Sequence, residues 1–477
     1  MEDFSFCVHG HFYQPAREDP ITGRIPDERG AVPFRNWNEL IFSHCYRPNA
    51  ELGNFERISF NMGPTLLNWM EQYYPETLDS IVQQDRVNFE KYGVGNALAQ
   101  PYHHTILPLA TYEDKVTQIK WGIEDFVHRY GHQPSGMWLP ETAVDMETLS
   151  VLADQGIEFT ILAPWQADTE NLDVTQPYWV KLPESRQIAV FFYHQGLSTR
   201  VSFDPLSTSN ADLFATDGIL PSFNLSNTQD RPKYLIIASD GELYGHHQPF
   251  RDKFLAHLMN GALSQHNVQH IYPALWLKKH PPIEFIRIRE NTSWSCHHGV
   301  KRWSDICDCT GNSAWKLHLR KAIELVAKIV DQTYFAMMTA LGKDGFALRN
   351  DYIDVVLNRI DEDVFIHEHF GQGFSELKTR MVSRLLRGSF ERQRMYTSCG
   401  WFFDDFDRIE PQNVVAYAAQ AFYWINLVHQ QTELPEILTA FDKVISTRST
   451  INGREVFESQ LEKAQRAFLE PVMRNTL

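Results

Sequence analysis

Residues 234–247 read YLIIASDGELYGHH. The opening Tyr234 to Ala238 is short, apolar and rich in aromatic and β-branched side chains, which predicts a buried strand. The eight residues from Asp240 to His247 then hold two acids, two glycines and two histidines, too much chemistry for a solvated turn. Glycines there allow a sharp bend and a close approach of the backbone to a ligand. The same form recurs twice. Phe4 to Phe12 carries His9-Gly10-His11-Phe12-Tyr13-Gln14-Pro15, and Gly136-Met137-Trp138-Leu139 ends in Pro140-Glu141. Strands closed by reactive residues are what the C-terminal rim of a parallel barrel requires.

Outward from these segments, Ile58 to Met62, Ile157 to Leu162 and Ile188 to Tyr193 have strand composition, and amphipathic segments lie between the strands. Val116, Ile119, Ile123, Phe126, Val127 and Tyr130 recur at spacings of three and four, predicting a helix over Tyr112 to Tyr130 with one stripe against a sheet. Asp145 is placed to cap the next helix and Gly156 to end it. Strand and helix alternating over residues 1–285 predict an α/β fold, a parallel TIM-like barrel. After Pro281-Pro282 and the run Ile283 to Arg289 the pattern turns helical: Ala314 to Leu341, Ser375 to Leu386, Pro411 to Gln431, Glu436 to Ser446 and Val456 to Leu469. A boundary near residue 285 is expected, with an all-α domain over 286–477 covering the cleft. The polar stretches Ala16 to Asn36 and Asp204 to Pro232 read as long connections at the rim.

The chain has 477 residues, enough for one large core or two. With 44 Lys plus Arg against 60 Asp plus Glu, its net charge of −16 repels phosphate backbones and anionic lipid, so nucleic acid and membrane surfaces are disfavoured partners. The first 20 residues lack a basic start and an apolar core segment, no window approaches 18 apolar residues, and six cysteines show no secreted-scaffold spacing. A cytoplasmic location is expected.

Two histidines one residue apart on a strand share a face. They could bind sugar hydroxyls, bind a metal, or satisfy core groups. Trp138 offers a flat face to sugar C–H groups beside Glu141. Glu141 and Asp240 end different strands, and two carboxylates facing each other across a sugar are what glycoside cleavage requires, about 5 to 5.5 Å apart for retention and farther for inversion. Cys296, His297, His298, Cys307 and Cys309 could supply zinc, yet C-x10-C-x-C matches no paired C-x2-C ribbon, so the thiols read chiefly as packing groups and no metal is expected.

His9-Gly10-His11 with Gln14-Pro15, His104-Thr105-Ile106-Leu107-Pro108, Trp138-Leu139-Pro140-Glu141 and Asp240-Gly241-Glu242-Leu243-Tyr244-Gly245, in this order, resemble the motifs of glycoside hydrolase family 57. The resemblance implies an incomplete (β/α)7 barrel followed by a helical domain, and retaining action on α-glucans through a covalent glycosyl-enzyme without metal or cofactor. The implied activity is of amylase, 4-α-glucanotransferase or branching type. It makes Glu141 the nucleophile, Asp240 the general acid/base, and His9, His11, His104 and Trp138 substrate contacts; Glu242 is a further candidate substrate contact. Asn291-Thr292-Ser293-Trp294-Ser295-Cys296, with Trp303, Asp305, Cys307 and Cys309, and Thr397 to Asp405 are similar to a branch of that family with its own helical domain. Trp294, Trp401 and Asp404 read either as glucan contacts or as a Trp-rich core. Two other functions stay open: a metal-dependent carbohydrate deacetylase or hydrolase using His9, His11, His104 and Asp240, and a non-catalytic glycan-binding protein on the same scaffold.

Overall fold

The structure, a computed structural model, describes residues 4–223 and 231–473. Its strands are β1 (Phe4–Phe12), β2 (Ser59–Met62), β3 (Ala97–Leu98), β4 (Phe159–Leu162), β5 (Tyr178–Lys181), β6 (Gln187–Phe192), β7 (Lys233–Asp240), β8 (Gln269–His270) and β9 (Phe285–Ile286). One sheet runs β3-β2-β1-β7, all parallel, with β8 also on β1. The other runs β4-β6-β5-β9, where β4 and β6 are parallel and β5 returns antiparallel. Parallel bridges from Ala99 to Met137 and from Gly136 to Phe159 insert residues 136–137 between β3 and β4.

Taken round, β7, β1, β2, β3, residues 136–137, β4 and β6 form a parallel wall. Among the described residues β6 and β7 are not paired, and the His194 amide donates to the Ile236 carbonyl at 2.7 Å across the opening. This is an incomplete (β/α)7 barrel followed by helices, the fold the family resemblance implies.

The barrel core follows from the two-residue period of a strand. Cys7, the series Phe159, Ile161 and Ala163, the series Ala189, Phe191 and Tyr193, and the series Tyr234, Ile236 and Ala238 share one buried cluster. Continuing two of those series by the same period reaches His9 and His11 on β1 and Asp240 on β7. Register sets them side by side, because His11 is paired with Asn61 of β2 on one flank and with Asp240 on the other. The helix Tyr112–Tyr130 has the bounds its apolar stripe predicts. Asp145 caps Met146–Asp154 by accepting from the Thr148 amide at 2.7 Å, and Gly156 follows its end at φ 84°.

Contacts group the chain into two compact units. The first holds the residues through Gln14, Asp27–Tyr102 and Asp125–Ser295; the second holds Pro15–Pro26, His103–Glu124 and the chain from Cys296. The second unit is helical, with Ala314–Ala340, Glu362–Phe370, Glu376–Arg394, Ile409–Asn426, Leu434–Phe441 and Gly453–Met473 as longer elements. Ile409–Asn426 is buried along nearly its whole length, with Glu410, Asn413 and Gln420 enclosed among its apolar side chains. Within the polar stretch 204–232, helical turns run from Ala211 to Phe223, and residues 224–230 lie outside the described residues. No helix among the described residues is long and apolar enough to cross a membrane.

Candidate active site

His9 and His11 share a face, and that face is filled by protein. His9 Nδ1 lies 2.9 Å from Ser59 Oγ and its Nε2 3.2 Å from Asn61 Oδ1, and the Asn61 amide also reaches His11 Nδ1. Both rings stack on Trp138, at 4.6 Å for His9 and 5.4 Å for His11. The indole face that the sequence offered to a sugar is therefore covered by imidazoles, and Trp138 has no exposed surface. Burial, with the neighbouring His11, lowers the His9 pKa to about 3, and burial lowers that of His11 to about 4. Both are neutral at pH 7, so neither balances a carboxylate by charge.

Glu141 stands in the 3-10 turn Pro140–Thr142 at φ 58° and ψ 20°, with Thr142 also left-handed at φ 50°. Neither residue type takes that conformation cheaply, and such strain is held only where surrounding contacts enforce it. Here the enforcing group is Gln166. Its amide donates to the Thr142 carbonyl at 2.7 Å, its Oε1 accepts from Thr142 Oγ1 at 2.9 Å and from the Ala163 amide at 2.8 Å, and it also reaches Thr292. The segment Thr292–Ser295 runs alongside. Trp294 Nε1 and Ser295 Oγ donate to Glu141 Oε2 at 3.0 and 2.5 Å, and the Trp294 amide donates to the Glu141 carbonyl at 2.9 Å. Two donors on one oxygen are partners that suit an ionised carboxylate.

Asp240 ends β7 with surface open to water, yet protein surrounds it on most sides. That loss of solvation, and then the charge of Glu141, raises its pKa to about 7. Glu242 is a different case. It is buried, accepts from Tyr46 Oη at 2.6 Å, from the Tyr13 amide at 3.1 Å and from Gln14 Nε2 at 3.5 Å, and burial lifts it to about 7 against the lowering by Tyr46. The glycines of this motif meet protein where the sequence pictured a ligand. A Cβ on Gly241 would lie 2.3 Å from the Phe12 ring, and one on Gly245, at φ 136°, 2.2 Å from the His44 carbonyl oxygen.

The first unit thus brings together His9, His11, Trp138, Glu141, Asp240, Glu242 and Trp294. His104, Trp401 and Asp404 belong to the second. His104, at φ 56°, has Nδ1 2.5 Å from Ser398 Oγ. Trp401 is buried with its indole N–H on the Lys316 carbonyl at 3.2 Å, and Asp404 pairs with Arg448 at the surface. Among the described residues, His9, His11 and Asp240 of the first unit do not gather at metal-ligand distance; a different group, Cys296, His298, Cys307 and Cys309, does. The sequence reading missed Asn61, Gln166 and Ser295 as partners of the site. Asn61, the one amide in the short strand Ser59–Met62, was the one with a usable signal.

At its C-terminal rim the half-open parallel barrel thus carries a carboxyl held near neutrality and a second, donor-bound carboxylate. The family model described as Glycosyl hydrolase family 57 matches residues 20–289, and the chain belongs to that family. A second, Domain of unknown function (DUF3536), matches residues 312–473. Similar proteins include an alpha-amylase of Pyrococcus horikoshii, 24% identical over 224 residues that cover 45% of this chain and 32% of that protein. A 4-alpha-glucanotransferase of Thermococcus litoralis is 23% identical over 216 residues, covering 43% and 30%. The matched region thus spans about a third of the length of these relatives. Among solved structures, an exo-type maltose-forming amylase of Pyrococcus sp. ST04 superposes with a TM-score of 0.75 at 15% identity, over 99% of this chain and 93% of that one, which speaks to the fold.

Proposed function

We propose that the protein is a retaining glycoside hydrolase or transglycosylase acting on α-glucans. The observation that carries this reading is the acid pair: Asp240, its pKa near 7 through burial and the charge of Glu141, beside a Glu141 oriented by Trp294 and Ser295. The amylase and glucanotransferase names of the relatives supply the substrate class.

Glu141 attacks the anomeric carbon, the glycosidic C–O bond breaks, and the leaving oxygen takes the Asp240 proton. Asp240, now ionised, takes a proton from water or from a sugar hydroxyl, whose oxygen bonds to the anomeric carbon and releases Glu141. Water gives hydrolysis and a second glucan gives transfer. His11 and Trp294 are the proposed sugar contacts, with His9 and Trp138 acting behind them. A cytoplasmic site of action accords with six cysteines of which none forms a disulfide.

Incubation with amylose, with products resolved by size and linkage, tests the proposal. The wild type is expected to shorten or redistribute chains, and Asp240→Asn to lose turnover by roughly 10²–10⁴-fold. Full turnover by Glu141→Ala, or glucan binding by the wild type without product, would overturn it.

A further inference from the structure

Between Ser295 and the helix Ala314–Ala340, residues 296–313 form a run of turns with one short 3-10 helix, Lys301–Trp303. A stretch of that length without regular structure is uncommon in a compact unit unless something ties it together. Three of the chain's six cysteines lie in it, spaced C-x-H-x8-C-x-C with His298. Their ligand atoms all stand within 4.8 Å of one another.

The individual distances discriminate between chemistries. Cys296 and Cys307 Sγ are 3.6 Å apart, and Cys309 Sγ is 3.7 Å from that of Cys296. His298 Nδ1 is 3.4 Å from Cys307 Sγ and 3.5 Å from Cys309 Sγ. A disulfide needs about 2.05 Å between sulfurs. Zinc bonds of about 2.3 Å to sulfur and about 2.0–2.1 Å to nitrogen give tetrahedral edges of roughly 3.8 Å between sulfurs and roughly 3.6 Å from sulfur to nitrogen. The four measured edges match that tetrahedron. Packing alone has no reason to aim an exposed imidazole at two thiols that also converge on a third.

We propose that Cys296, His298, Cys307 and Cys309 form a structural zinc site. Four protein ligands close the coordination sphere, which is the structural and not the catalytic pattern. The surroundings are arranged to hold such ligands: the Cys307 amide donates to Ser313 Oγ at 3.0 Å, the Cys296 carbonyl accepts from the Gly299 amide at 3.1 Å, and Arg302 donates to the Cys309 carbonyl at 3.2 Å. The ion cross-links both ends of the turn run, and binding displaces the thiol protons to solvent. This site is independent of the acid pair, so either assignment can fail alone.

The full-length protein, purified without chelator, is expected to carry one zinc per chain by elemental mass spectrometry, and Cys307→Ser with Cys309→Ser to carry none. Because that variant can lose its fold, the wild type is also stripped with a chelator and titrated with cobalt(II). A visible spectrum of tetrahedral thiolate-bound cobalt, saturating at one equivalent and absent in His298→Ala of native circular dichroism, is expected. Protein that carries no zinc and develops no such spectrum, or a Cys296–Cys307 disulfide in the fresh protein, would overturn the proposal.

Discussion

Asp240 and Glu242 stand two residues apart and share a raised pKa of about 7, but their surroundings assign them different work. Glu242 is enclosed by Tyr46, Gln14 and the Tyr13 amide, and holds the chain leaving β1. Asp240 faces water and feels Glu141. A carboxyl whose folded pKa lies above its unfolded value binds more protons folded than unfolded between about 4 and about 7, so stability falls as pH rises through that window. Asp240→Asn removes this liability. It is expected to unfold at a higher temperature than the wild type at pH 8, with the difference shrinking toward pH 4, as scanning calorimetry across pH would read. An equal shift at both pH values would mean that Asp240 is not held protonated. In the proposed mechanism the same group is expected to set the alkaline limb of kcat/KM, since the first step uses its proton.

At the scale of elements, the two-residue alternation of strands and the three-four spacing of helices were open to reading from sequence. They gave β1, β4, β6 and β7, the helix Tyr112–Tyr130 to its ends, and the positions of both acids. The two-residue β3 was not legible, since Ala97–Leu98 is too short to show a period. Nor were the partners of the acids: Ser295 reaches Glu141 across 154 residues, and Asn61 reaches His9 across 52. Such pairs are made by topology and leave no local pattern. Gln166 belongs to this class, a single side chain after β4 that holds the strained turn carrying Glu141. In Gln166→Ala, buried groups at Thr142 and Ala163 lose their partners, at about 1–3 kcal/mol for such a group. We expect lower urea stability and a lower kcat with KM little changed, because the turn relaxes and Glu141 loses its aim while other sugar contacts remain. An unchanged kcat would show that the turn keeps its shape without Gln166.

Across the whole molecule, the sequence placed a single cut near residue 285, whereas contacts assign residues 15–26 and 103–124 to the helical unit. Apolar periodicity reports which face of a segment is buried, not which body buries it. For 103–124 the physical tie is Asp114. It meets Arg349 at 3.1 Å, Arg392 at 2.5 Å and Gln393 at 2.8 Å, all buried. Burial pushes the Asp114 pKa up, and the charges of Arg392 and Arg349 more than offset this, leaving it below the usual carboxylate value. Its contribution is therefore present above the unfolded carboxylate pKa and lost as pH falls through the lower folded one. Asp114→Asn leaves two buried guanidinium groups underpaired and is expected to cost about 3–5 kcal/mol in urea unfolding at pH 7, with a smaller loss in acid. A neutral result would mean that Asp331, 2.8 Å from Arg392, suffices as its partner.

The central claim is that Glu141 forms a covalent bond to sugar while Asp240 handles the proton. An α-maltosyl fluoride needs no acid to lose its leaving group, yet release of the glycosyl-enzyme still needs the base. Mass spectrometry of Asp240→Ala after exposure to this donor, followed by peptide mapping, is expected to find a maltosyl adduct on Glu141. An adduct on another residue, or none while the fluoride is consumed, would contradict the assignment.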